Sequence, residues 1–219
     1  MRIDTHTINI LKNFAKINPS IIIDAGNILR TISNTKSVFA RAEVSSTFSR
    51  KFAIYNLDKF VATLSLFNDP DLVFEDKFVS ISDGKKKTKY VYASEDSLKV
   101  KAPNKEITLP NVEVTFNLTN ETLRDVEKSL GILELSDIVV VGDGESVYVQ
   151  AEDIKNPSAD VFSIKVGETS KTFRAVFRPE NIRVIPGDYE VSISSKGISH
   201  FKGPMAEYWI AVETTSTFD

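Results

Sequence analysis

Apolar residues change their period several times along the chain, and each change predicts an element. Ile8, Leu11 and Ala15, widened by Phe14 and Ile17, recur at spacings of three and four. That spacing predicts a first helix capped by Thr5 or Thr7 and stopped by Asn18-Pro19. Ser20 to Ile32 is interrupted at Asp24-Ala25-Gly26-Asn27 and reads as strand, tight turn, strand. Strand character continues through Ser37–Val44 and Lys51–Tyr55. A second helix is expected from Leu57 to Phe67, with Asn56 as its cap. Leu72 to Ser82 reads as a hairpin turning near Asp76-Lys77, and Lys89–Ala93 as a further strand.

Ala102 to Pro110 is bracketed by prolines, which cannot donate to a sheet ladder, so 101–111 reads as an extended connector between domains 1–100 and 112–219. Beyond it the order repeats. Val112–Leu118 is a strand, and Glu121–Leu130 a helix capped by Thr119 or Asn120 and closed by Gly131. Strands follow at Asp137–Val141 and Ser146–Ala151 around Gly142-Asp143-Gly144, then at Asp160–Val166 and Thr172–Phe177. Pro179 opens a short helix, and Tyr189–Ser195 and Tyr208–Thr214 complete the expected strands. Ile54 to Phe60 and Val176 to Ile182 match in pattern, each an apolar strand end running into a helix. The fold class is therefore α+β, one architecture of helices on antiparallel sheets used twice.

Composition narrows the chemistry. The 219 residues hold 27 Lys+Arg against 30 Asp+Glu, a net charge of −3, so any nucleic-acid contact must come from positive charge gathered on one surface. There is no cysteine, which excludes disulfides, thiolate catalysis and Cys-ligated metal centres. No run reaches the roughly 18 apolar residues of a membrane helix, and no secretory signal is evident, so no membrane partner and an intracellular setting are expected. The sequons at Asn117 and Asn120 carry no weight in that setting. His6 and His200 stand apart from any metal-ligand spacing. Asp69, Asp71, Glu75 and Asp76 read as turn carboxylates rather than a Mg²⁺ site or a hydrolase centre. No nucleotide fingerprint is present. No enzyme activity and no cofactor are expected.

Positive charge is patterned. Lys12 and Lys16 lie four apart on the first helix, with Asn9 and Asn13 beside them as neutral phosphate donors. Arg124 and Lys128 repeat the spacing on the third helix. Lys85, Lys86, Lys87 and Lys89 form the densest cluster, a solvated loop or a phosphate contact.

The segments Ile10–Ala15, Phe52–Leu57, Leu64–Asp69, Ala102–Lys105 and Pro186–Tyr189 resemble the DNA polymerase sliding clamps of T-even-like tailed phages. The ending Tyr208–Glu213 is similar to that of the eukaryotic clamp PCNA. The resemblance implies a homotrimeric ring of six domains, helices lining the hole and sheet outside. It implies a processivity factor that encircles duplex DNA and tethers the replicative DNA polymerase in the cytoplasm of an infected bacterial host. An ATP-driven clamp loader would open the ring. A late-transcription sigma factor and its co-activator are further implied partners. On this reading Lys12, Lys16, Arg124 and Lys128 face DNA, joined by Lys59 and Arg183 on the other helices. The subunit joint is expected between Lys89–Ala93 and Asp160–Lys165, with Tyr90, Tyr92, Val161, Phe162 and Ile164 as apolar contacts. A partner-peptide pocket is expected at Ile107, Leu109 and Trp209. The alternative function is a β-rich phage structural or carbohydrate-binding protein, which would leave the paired basic helices unexplained.

Overall fold

The computed structural model describes all 219 residues and divides the chain into two units, Met1–Lys105 and Glu106–Asp219. The division falls inside the proline-bracketed stretch.

The first unit opens with α1 (Thr5–Ile17). Its N-cap is Asp4 rather than either threonine, because the Asp4 carboxylate accepts from both the Thr7 N–H and the Thr7 hydroxyl. Ile10, Leu11 and Phe14 are fully buried along one face, each contributing roughly 1.5–3 kcal/mol of transfer free energy. Strands β1 (Ile21–Ile23), β2 (Gly26–Ile32), β3 (Val38–Phe48) and β4 (Phe52–Ile54) follow, with β1 paired to β4 and β2 to β3. Strand β3 runs four residues past the expected end at Val44. Ser46 is polar yet buried there because its hydroxyl donates to Asp4. Helix α2 (Leu57–Leu64) is capped by Asn56, whose side chain accepts from Lys59 N–H. It stops short of Phe67, as Leu66 and Phe67 bond back only three residues. Strands β5 (Asp71–Phe74), β6 (Phe78–Ser82) and β7 (Lys87–Val91) form a meander in that order. Met1 exchanges two hydrogen bonds with Leu72 and covers the β5 edge. The outer edge of β7 pairs with nothing in the chain.

The second unit begins with β8 (Val112–Leu118) and α3 (Asn120–Ile132), capped by Thr119. Gly131 is a helical residue and not the cap. The chain reverses three residues later at Glu134, which carries the positive φ of 54°. Strands β9 (Asp137–Asp143), β10 (Ser146–Glu152), β11 (Phe162–Glu168) and β12 (Thr172–Phe177) come next. Pro179–Asn181 is a single 3₁₀ turn where the first unit has α2. Strands β13 (Tyr189–Ser194), β14 (Ile198–Lys202), β15 (Glu207–Ala211) and β16 (Thr217–Phe218) complete the unit. One sheet runs β11-β10-β9-β12-β16, and β8, β13, β14 and β15 pair in that order in another. Strands β14 and β16 were not expected from the sequence. Gly197 (φ 79°) makes the tight β13–β14 reversal that a side chain would strain.

Each unit thus packs its first helix on antiparallel strands and leads a buried strand, β4 or β12, into a helical turn. The second unit shortens that turn because Ile182 and Ile185 are drawn inward, the Ile185 N–H bonding the Tyr208 hydroxyl.

Candidate nucleic-acid and partner interfaces

The solvent side of α1 is a single stripe, Thr5, Asn9, Lys12 and Lys16, because every intervening residue of the last three turns is buried or half-buried. Asn13 is 7% exposed and so leaves that stripe, correcting its expected role as a surface donor. On α3 the exposed positions are Glu121, Arg124, Glu127, Lys128, Gly131 and Ile132, with Leu123 and Val126 buried behind them. Lys59 is exposed on α2. Arg183 is exposed but sits beyond the 3₁₀ turn, not on a helix, with its Nε donating to Glu180 O at 2.7 Å.

Charge pairing separates these cations from several on the strands and loops. Arg2, Arg50, Lys51, Lys171, Arg174 and Arg178 each meet a carboxylate, for example Lys51–Glu95 and Lys171–Glu113 at 2.7 Å. Lys12, Lys59, Arg124 and Lys128 form no ion pair within the chain. Their fields are left unneutralised on the solvent faces of the helices.

Of the strands expected at a subunit joint, both are sheet edges, though each is displaced from its expected range. Strand β7 ends at Val91, so Tyr92 lies just past it and Ala93 makes an isolated bridge to Ala53. The Tyr90 ring packs edge-on to Phe60 at 5.1 Å and its hydroxyl donates to Asn56 O, while Tyr92 lies 5.1 Å from Phe52. Both rings therefore turn toward their own unit. Val91 between them is 61% exposed, an apolar edge residue that sequence reasoning passed over. Strand β11 starts at Phe162, and Asp160 and Val161 precede it. Phe162 and Ile164 are half-buried on one face, while Val161 is exposed.

Trp209 is 7% exposed on β15 and stacks flat on His200, with ring centroids 4.5 Å apart and planes 14° from parallel. His200 Nε2 lies 2.9 Å from a Glu207 carboxylate oxygen. The stack follows from the β14–β15 register, which sets His200 opposite Trp209. Because β14 was not foreseen, neither was His200. Ile107 and Leu109 are half-buried in an irregular stretch whose end is held by the Ser194 hydroxyl donating to Pro110 O.

Residues 4–102 match the model of the DNA polymerase processivity factor family, and residues 115–214 match that of the C-terminal part of the gp45 sliding clamp. The sliding clamp of Vibrio phage KVP40 is 36% identical over 97% of this chain and 99% of its own. That of Enterobacteria phage T4 is 26% identical over the full length of both. Among solved structures, Caulobacter crescentus pol III beta superposes with a TM-score of 0.72 at 12% identity, over 98% of this chain and 66% of that one. A. fulgidus PCNA, bound by the C-terminal region of FEN-1, superposes with a TM-score of 0.70 at 12% identity over 96% of each chain.

Proposed function

Since the chain belongs to the phage sliding-clamp family, whose members are DNA polymerase processivity factors, we propose that three copies close into a ring around duplex DNA and hold the replicative polymerase on it. The observation that carries this reading is the basic pair on the solvent face of each first helix, Lys12 and Lys16 on α1 and Arg124 and Lys128 on α3, in a chain whose net charge is −3. Phosphate contacts of this kind carry no sequence information and exchange readily with counterions, so a ring lined with them can move along the duplex. An acidic remainder keeps the outside from adhering to DNA. The protein performs no catalysis on this reading. A separate ATP-driven loader opens the ring in the cytoplasm of the infected host, and late-transcription factors share it as a platform.

Edge strands β7 and β11 support the subunit joint, since each leaves one row of backbone donors and acceptors unmatched and together they extend both sheets. Val91 and Val161 supply exposed apolar area beside that joint. Trp209, with Ile107 and Leu109, is the proposed seat of a short apolar partner peptide, as Trp is prominent among interface hot spots. Static light scattering combined with loader-dependent primer extension tests the whole reading. A trimer that lengthens polymerase products only when the loader and ATP are present supports it. A monomer that never stimulates the polymerase rejects it.

A further inference from the structure

A cavity of about 180 Å³ opens in the first unit where the end of α1, β1, β2 and the stretch Val100–Asn104 meet. Its charged groups are unevenly matched. Lys51 in the wall bonds Glu95 and also feels Asp24, so both carboxylates of the lining act on one ammonium, which is held above its usual pKa, and Lys101 pairs with Asp96 outside the lining. Arg30 in the same wall forms no ion pair, and its Nε is buried with no acceptor. Thr31 beside it is 2% exposed, and its hydroxyl also has no partner. A buried donor left unmade costs roughly 1–3 kcal/mol, so an acceptor supplied to Arg30 Nε would be favoured.

Arg30 sits directly opposite Arg41 in the β2–β3 ladder. With no carboxylate paired to it, the Arg30 guanidinium favours an incoming anion. Asp24 and Glu95 lie in the same lining and oppose a doubly charged one. A guanidinium presents a planar fork that matches a carboxylate. Ile22, Ile32 and Val100 give the cavity apolar walls beside that fork. We propose that this cavity is a carboxylate-binding site centred on Arg30, which takes an acidic side chain of a partner peptide together with a neighbouring apolar side chain.

The site stands on the first unit alone and does not depend on Trp209 or on ring closure. The test uses the full chain, ¹⁵N-labelled, with the Arg30 Nε–H resonance followed at constant ionic strength. The probe is N-acetyl-aspartyl-leucine amide, compared with its asparaginyl counterpart and with inorganic phosphate. The carboxylate probe should shift the Arg30 resonance saturably. The asparaginyl peptide should leave it unmoved, and phosphate should bind about tenfold more weakly or worse. Arg30→Lys keeps the charge and removes the Nε donor, and should weaken the carboxylate probe about tenfold. Lys202→Gln, exposed on β14 of the second unit, should not change it. A resonance that never saturates, an equal response to phosphate, or full affinity in Arg30→Lys overturns the proposal. If Arg30→Lys does not fold, the wild-type comparison of the three probes decides alone.

Discussion

At the residue scale, Asp4 ties α1 to β3. It caps α1 through Thr7 and accepts from Ser45 and Ser46 on β3. Burial alone would raise its pKa, but the hydrogen bonds from Thr7, Ser46 and Ser45 outweigh that and hold it well below the usual carboxylate range. The stability it contributes is therefore complete above its unfolded pKa of about 3.9 and is lost as pH falls toward its folded value. Asp4→Asn should destabilise the protein by about 1–2 kcal/mol at neutral pH. It should also flatten the decline in melting temperature below pH 4, which calorimetry across pH 2.5–7 would measure. At Gly142 an added Cβ would fall 2.4 Å from the Phe173 ring, which stacks on Phe218. Gly142→Ala should cost about 1–3 kcal/mol, read as a lower urea midpoint. Neither residue was legible in its role. A cap among Asp4, Thr5 and Thr7 is locally degenerate, and only the distant β3 hydroxyls favour Asp4. Gly142 looked like half of a turn because the ring that fills its missing side chain lies 31 positions away in sequence.

At the element scale, most strands and all three helices were readable, since each carries its own period and its own breakers. The misses have a common cause. Strand β14 buries a polar Ser199 and sets Phe201 between His200 and Lys202, and its burial comes from the strands on either side. Strand β16 is too short to hold a pattern. The basic pairs of α1 and α3 were legible because spacing of four fixes a helix face, but that Lys12, Arg124 and Lys128 form no ion pair within the chain needed the structure. Replacing Lys12, Lys16, Arg124 and Lys128 together by alanine should leave the assembly mass unchanged. It should lower the slope of log affinity against log salt by roughly 0.9 for each phosphate that is no longer neutralised. An unaltered slope would remove these helices from the DNA-facing surface. For the joint, Val91→Asp should dissociate the assembly with the melting transition of the chain preserved, since Val91 is exposed on a strand edge. Phe162→Asp should also yield monomers, but with lower stability, because Phe162 is half-buried in its own unit. Sedimentation at low micromolar concentration separates the two outcomes.

At the scale of the whole molecule, the α+β class and the repeated order were visible in the sequence, and the shortening of the second helical turn was not. That turn is set by Ile185 reaching the Tyr208 hydroxyl, a pairing across 23 positions that no local window contains. Three chains of 24.4 kDa should scatter as a particle of about 73 kDa. The Trp209 site should respond as one with it: the polymerase's C-terminal peptide should change indole fluorescence saturably, and Leu109→Asp should abolish the change in a protein still trimeric. Binding that survives both Leu109→Asp and Trp209→Ala places the peptide elsewhere. The open edges of β7 and β11 belong to different units and different sheets. A contact between two unlike edges has a direction and no internal stop, so each added copy offers the next one the same vacancy. The angle turned per copy alone separates a closed annulus from an endless fibre. Inserting glycines between residues 101 and 111 should therefore shift the product from rings to filaments visible by negative-stain microscopy, without altering a single atom of the joint itself.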